Sequence, residues 1–157
     1  MSKQHHYRAK IIWTGNTGSG TKSYTEYERS YSVLIDHKIE LQCSSDTPFR
    51  GDATKHNPED FLLASLSSCH MLWYLHLCAD AGIIVVDYTD NATGILSQND
   101  NGSGCFTEVI LHPIVTITEE SMKSKAIELH QQANKMCFMA NSVNFKVKHE
   151  PICMIKE

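Results

Sequence analysis

Six cysteines, at positions 43, 69, 78, 105, 137 and 153, and nine histidines are the groups in this 157-residue chain whose chemistry deserves weighing first. A thiol is a nucleophile or a metal ligand only as thiolate, and a free thiol with a pKa near 8.5 is only a few per cent ionised at neutral pH. Surroundings therefore decide which cysteines react. Free cysteine is among the most buried residue types, and Cys43, Cys78, Cys105 and Cys153 read as small core hydrophobes. Cys69 and Cys137 differ, because each falls in a segment with a helical pattern, and two helices packed on one sheet can turn their thiols toward each other. Such a pair can cycle between dithiol and disulfide.

Metal binding needs more ligands than the sequence groups together. Cys69 with His70 and His76, or His130 with Cys137, come nearest, but seven-residue spacing supplies pairs, whereas zinc takes four ligands or three and a water. There is no C-x-x-C and no H-x-x-x-H, so no metal is expected. His70, the neighbour of Cys69, points about 100° away round a helix and is badly placed to share its proton. "GNTGSGT" lacks the lysine and following helix of a phosphate loop and reads as a hairpin turn.

The elements that must position these residues follow from the pattern. "YRAKIIWTG", "YERSYSVLID" and "KIELQC" read as three strands, the last two joined near Asp36 and His37. "SSDTPFRGDATKH" is a polar loop leading into "NPEDFLLASLSSCHMLWYLHLCADAG", where Asn57 is a candidate N-cap, Pro58 suits the first helical position, Glu59 and Asp60 complement the helix dipole, and Gly82 stops the helix. "IIVVDYTDNATGIL" and "CFTEVILHPIVTI" read as strands around the turn "SQNDNGSG". "EESMKSKAIELHQQANKMCF" places Met122, Ala126, Leu129, Ala133 and Met136 on one stripe of a second helix, and "VNFKVKHE" reads as a last strand before Pro151. The order makes a single α+β domain over residues 1–157, without repeats or low-complexity tracts.

The first helix is unusual. From Phe61 to Ala79 its apolar residues cover more than one face, so every side must be buried, and one small sheet cannot do that. The expected remedy is a second copy of the chain, in a homodimer with this helix at its centre; the alternative is a core helix wrapped by the chain's own sheet and second helix.

Composition narrows the function class. The formal net charge is −4 and the pI near 6.1, with lysines and arginines scattered, so there is no basic footprint for nucleic acid or an anionic membrane. "MSKQHHYRAKIIWTG" lacks the apolar core of a signal peptide, and the run Met71 to Ala79, broken by His76, is too short to span a bilayer, which implies a cytoplasmic protein. Six cysteines are too sparse for a disulfide-stapled secreted fold.

Taken together, "NPEDFLLASLSSC" and, 68 residues after its cysteine, "HQQANKMCFMANSV" resemble the OsmC/Ohr family, the osmotically induced and organic hydroperoxide resistance proteins. The resemblance runs from "WTG" to the last strand and rests on Asn57, Pro58, Glu59, Cys69 and Cys137. It implies an intertwined homodimer, two central helices flanked by curved antiparallel sheets. It also implies a thiol-dependent peroxidase in which Cys69 is the peroxidatic and Cys137 the resolving cysteine, with no cofactor and an external thiol or lipoyl reductant. Glu59 matches the family's active-site glutamate. The arginine corresponds to Arg50 in the OsmC-like branch, or to Arg29, with Arg8 a poorer match, in the Ohr-like branch; Arg50 is the first choice. Ten residues of continuous helix span roughly 15 Å, so Glu59 is expected to serve Cys69 of the other subunit unless the first turn is broken from the rest.

Phe138 stands where many relatives have proline, and "CHMLWYLHLCA" is bulky around the first cysteine, features of a less characterised OsmC-like branch. Phe61, Leu66, Trp73 and Phe138 are expected to favour lipid-like or aromatic peroxides. The alternative is a non-catalytic redox-responsive or small-ligand-binding protein on the same dimeric scaffold.

Overall fold

The computed structural model describes residues 3–157. The chain forms two compact units, Met1–Phe61 and Leu62–Glu157, described in turn.

The first unit is an antiparallel sheet in the order β1 (Lys10–Trp13), β2 (Tyr31–Leu34), β3 (Leu41–Cys43). Pairing of Trp13 with Tyr31, and of Tyr31 with Cys43, fixes the register. The glycine-rich segment after β1 is a turn, as its sequence indicates: Asn16 Oδ1 accepts from the N–H groups of Gly18 and Gly20. After β3 the chain makes one 3-10 turn, Thr47–Phe49, capped by the Asp46 carboxylate, and leaves it through Arg50 at φ +63°. The next residue has to be glycine, because a Cβ on Gly51 would sit 1.5 Å from the Ser45 carbonyl oxygen.

The first helix, α1 (Pro58–Asp80), begins as the sequence indicates. Asn57 Oδ1 accepts from the Asp60 N–H at 2.8 Å, and Asp60 Oδ2 accepts from the Asn57 N–H at 3.1 Å. This reciprocal cap satisfies two donors that a helix start leaves free. Gly82, at φ +72°, closes the other end, with the Ile83 N–H on the Cys78 carbonyl.

The second unit holds most of α1 with β4 (Val85–Asp90), β5 (Thr93–Gln98), β6 (Gly104–Leu111), β7 (Pro113–Ile117), α2 (Lys123–Met136), β8 (Val147–His149) and β9 (Ile152–Ile155). Two apolar sequence runs are each divided, the second at His112, whose N–H is held by Asp90 Oδ1 at 2.7 Å. Asp90 Oδ2 also accepts from Ser67 Oγ of α1, so one carboxylate ties the helix to the strand break. The sheets are mixed rather than antiparallel throughout. In β4-β7-β9 and β5-β6-β8 the last strand of each is parallel to its neighbour, because the chain crosses through α2 before β8 and β9, and parallel pairing needs such a crossover. A strand after Pro151 was not expected; proline, which has no N–H, stands just before it at the sheet's edge.

α1 buries one stripe, Leu66, His70, Tyr74 and Cys78, at four-residue spacing. Its upper half packs with Val115, Ile117 and α2's Ala126, Leu129 and Ala133, its lower half with Val109, Leu111 and Val147. Met136 is 45% exposed rather than core, because the buried face of α2 turns to Ala126, Leu129, His130 and Ala133.

Candidate active site

Cys69 is half-buried on α1, one position round the helix from the buried stripe. Cys137 is the residue after the last turn of α2, 1% exposed, and its extended backbone ends the helix. Its Sγ accepts a hydrogen bond from the Ala140 N–H at 3.3 Å. Burial first, then hydrogen bonding and charge interaction with the Cys69 thiol, push the Cys137 thiol up to about 11, partly offset by the N–H groups of Ala140 and Met139. The structure thus brings Cys69 and Cys137 together as interacting free thiols outside disulfide distance.

The chemistry this arrangement permits is sequential. Burial keeps Cys137 protonated, and a change at Cys69 that ends its interaction with Cys137 makes that proton easier to lose.

Aromatic side chains flank both thiols. Trp73 follows Cys69 by one helical turn, Phe138 follows Cys137, and their rings meet edge to face with centroids 5.8 Å apart. Beside them lies an open cavity of about 280 Å³ lined by Leu72, Trp73 and His76. Leu66, expected near the substrate, belongs instead to the core with Val109 and Leu111. His76 is exposed and pairs with Asp80 at 3.5 Å.

The two arginine candidates and Glu59 belong to the first unit. Arg50 is exposed, and among the described residues its guanidinium has no hydrogen-bond partner. Arg29 is half-buried and held in place: its guanidinium carbon lies 4.2 Å from the Tyr24 ring centre and 4.1 Å from that of Tyr27, and it donates to the carbonyls of both residues. Arg29 and Arg50 line one cavity of about 220 Å³ with Glu28, Ser30, Ser44 and Asp52. The sequence alternatives are therefore neighbours across one polar cavity, Arg29 held by ring stacking and hydrogen bonds and Arg50 without a guanidinium partner among the described residues. Arg8 is exposed and does not line it. Glu59 is half-buried near Tyr31, whose phenol it helps push up after burial and Cys43 have done so. Because α1 is unbroken from Pro58 to Asp80, Glu59 and Cys69 of one chain are separated by about 15 Å of helix rise.

Cys43, Cys78 and Cys153 are buried as expected, and burial raises all three thiols. Cys105 is not a core residue: it is exposed near the hairpin tip of β6, where alternation of buried and open positions has yet to begin.

Sequence reasoning weighed His70 and His130 as metal ligands, and His70 also as a proton partner of Cys69, and missed what they form together. His70 Nε2 and His130 Nδ1 are 3.0 Å apart in the core between α1 and α2, with His149 beside them. The signal was present: His70 stands midway between Leu66 and Tyr74 on the buried stripe, and His130 between Ala126 and Ala133. Burial, then His149, holds His70 down to about 4. Burial, then His70 and His149, holds His130 down to about 3. Among the described residues no group of three or more His, Cys, Asp or Glu is arranged to hold a metal ion.

Comparison with known proteins fits this architecture. The family model described as OsmC-like protein matches residues 51–151. An OsmC-like protein of unknown function from Vibrio cholerae is 30% identical, with 95% of this chain and 100% of that one covered at a TM-score of 0.81. An organic hydroperoxide resistance protein from Elizabethkingia anophelis, crystallised with thiocyanate bound, is 18% identical over 99% of this chain and 100% of its own, TM-score 0.71. An organic hydroperoxide resistance protein from Legionella pneumophila is 17% identical over 98% and 99%, TM-score 0.68. Those two likenesses are of fold. No curated protein sequence matches the chain. A match over residues 51–151, with the α+β architecture and the paired helix thiols inside it, places the chain in the OsmC-like protein family.

Proposed function

We propose that the chain is a thiol-dependent peroxidase that reduces organic hydroperoxides to alcohols, with Cys69 peroxidatic and Cys137 resolving. The observation that carries this reading is the placement of two free thiols, half-buried Cys69 on α1 and buried Cys137 at the end of α2, beside the Trp73–Phe138 ring contact that joins the two elements.

In the cycle, the Cys69 thiolate attacks the terminal oxygen of the hydroperoxide. The S–O bond forms, the O–O bond breaks, and the alkoxide leaves as alcohol after taking a proton; Cys69 is then a sulfenic acid. With the Cys69 charge gone, Cys137 gives up its proton more readily and attacks the Cys69 sulfur. The products are a disulfide and water, and a short movement of the α2 terminus is required because the thiols start outside bonding distance. An external thiol or lipoyl dithiol returns the disulfide to two thiols, which suits a reducing compartment such as the cytoplasm. Trp73 and Phe138 beside the thiols favour an apolar peroxide over hydrogen peroxide.

Arg50 is assigned to stabilise the Cys69 thiolate, and Glu59 to orient its guanidinium through paired hydrogen bonds. The unbroken helix removes the option of a displaced first turn, so we assign Glu59 to the Cys69 of a second subunit. Two surfaces support a homodimer. α1 buries only a stripe while Leu72 is 63% exposed, and the β1–β3 sheet carries an apolar groove of about 540 Å³ lined by Ile11, Tyr31, Val33, Ile35, Leu41, Pro58 and Phe61. α1 has the length and composition of a membrane span, but buried His70 on its inward stripe marks it as a protein-facing helix.

One observation favours the second reading, a non-catalytic redox-responsive or ligand-binding protein: the thiols are outside disulfide distance. Treatment with one equivalent of cumene hydroperoxide, followed by alkylation and peptide mass spectrometry, separates the two. The peroxidase reading predicts a Cys69–Cys137 disulfide in wild type and a dimedone-trapped sulfenic acid at Cys69 in Cys137→Ser. Both thiols recovered reduced would leave the second reading standing.

A further inference from the structure

The polar groups in the core between α1 and α2 are used neither by the thiol chemistry nor by the hydrophobic packing. His70 and His130 are 1% and 0% exposed. Their ring planes differ by 9° and their centroids are 5.3 Å apart, while Nε2 of His70 and Nδ1 of His130 are separated by 3.0 Å. That centroid distance equals one nitrogen-to-nitrogen hydrogen bond plus two ring radii, so the rings meet edge to edge, in line.

A neutral imidazole has one N–H and one lone pair. One of each meets between the rings. The remaining N–H and lone pair stand at His70 Nδ1 and His130 Nε2, both buried and without a partner among the described residues. Because the Nε2 of one ring faces the Nδ1 of the other, both rings must carry the same tautomer. With both protonated at Nε2, the pair donates at its His130 end and accepts at its His70 end. With both protonated at Nδ1, the ends exchange roles.

Four more buried polar atoms have no hydrogen-bond partner among the described residues: Tyr74 Oη, Tyr88 Oη, Asn134 Oδ1 and His149 Nδ1. The Tyr74 ring stacks on His130 at 3.8 Å and lies 5.9 Å from that of Tyr88. His149 is 5.6 Å from His70 and 6.3 Å from His130, and Asn134 is one turn beyond His130 on α2. Polar atoms this deep are almost always paired, and where protein supplies no partner, ordered water does. A bridging metal ion fits poorly, since the in-line bond already occupies the lone pair such an ion would need. Burial that disfavours imidazolium also disfavours an ionic guest.

We infer that ordered water occupies both outer ends of this cluster, and that the His70–His130 pair between them is a proton relay. A proton taken up from water at one outer nitrogen and released to water at the other leaves both rings switched to the other tautomer, with no net change of charge. The inference does not rest on the peroxidase reading.

Two measurements on the unaltered protein test it. A high-resolution crystal structure, with anomalous data collected above the zinc edge, is expected to show non-anomalous density at hydrogen-bond distance from His70 Nδ1 and from His130 Nε2. Long-range proton–nitrogen NMR at neutral pH is expected to show both rings neutral and in the same tautomer, with exchange cross-peaks from water to the outer N–H. Opposite tautomers, an anomalous peak in the cluster, or dry outer nitrogens would each overturn it.

Discussion

Cys137 is held protonated by two separable causes, its burial and its neighbour Cys69. Replacing Cys69 by Ala removes the second, so the pKa of Cys137, read from its alkylation rate against pH, is expected to fall from about 11 while staying above the ordinary thiol range, because burial remains. An unchanged value would mean that the two thiols do not communicate. The histidines carry the second prediction at this scale. His70 and His130 are depressed to about 4 and about 3 from 6.5, so below pH 6.5 the unfolded chain binds more protons than the folded one. Stability is therefore full above that value and falls as the pH drops toward the folded pKa values. Two such groups predict a loss on the order of 4 kcal/mol between pH 7 and pH 5 in denaturant titrations, roughly halved in His130→Gln. The other titrating groups facing the pair are His149, itself lowered by burial and then Lys146, and the phenols of Tyr74 and Tyr88, raised chiefly by burial and neutral throughout this window. Both thiols were legible from the sequence because two helical patterns placed them. The imidazole pair was not, since its 60-residue separation gives no local pattern and a histidine among apolar residues reads as a defect of the stripe.

At the scale of elements, α1 is set by its ends. The reciprocal Asn57–Asp60 cap predicts that Asn57→Ala costs about 1 kcal/mol in equilibrium unfolding. In the lower core, Leu66→Ala is expected to cost about 2–5 kcal/mol, because Leu66 is 1% exposed among Val109, Leu111 and Val147. If Leu66 instead lined a substrate pocket, the variant would lose peroxide selectivity with little change in stability. Caps, glycines and alternating strands are short-range features, which is why α1, the three-stranded sheet and the start of β6 were readable. The division at His112 was not, for it depends on Asp90 reaching across from β4. Parallel placement of β8 and β9 escaped for a similar reason: strand direction is decided by the crossover through α2, not by residues within the strands.

For the whole molecule, the exposed apolar flank of α1 and the unbroken path from Glu59 to Cys69 argue for shared sites in a homodimer. Mixing a Glu59→Ala chain with a Cys69→Ser chain is expected to restore activity in about half of the sites of each heterodimer, since one site then receives both intact groups; activity no higher than that of the parent proteins would refute the sharing. The family was legible in the Asn57–Glu59 box and the two cysteines, whereas the choice between Arg29 and Arg50 was not, because the hairpin and the 3-10 turn that place both on one cavity are distant in sequence. The central claim, that the paired thiols reduce organic hydroperoxides, is met most directly by steady-state consumption of cumene hydroperoxide and of hydrogen peroxide with a dithiol reductant, on wild type, Cys69→Ser and Cys137→Ser. The account predicts turnover that favours cumene hydroperoxide and is abolished in Cys69→Ser. Wild-type protein that consumes neither peroxide, or a Cys69→Ser variant as active as wild type, would contradict it.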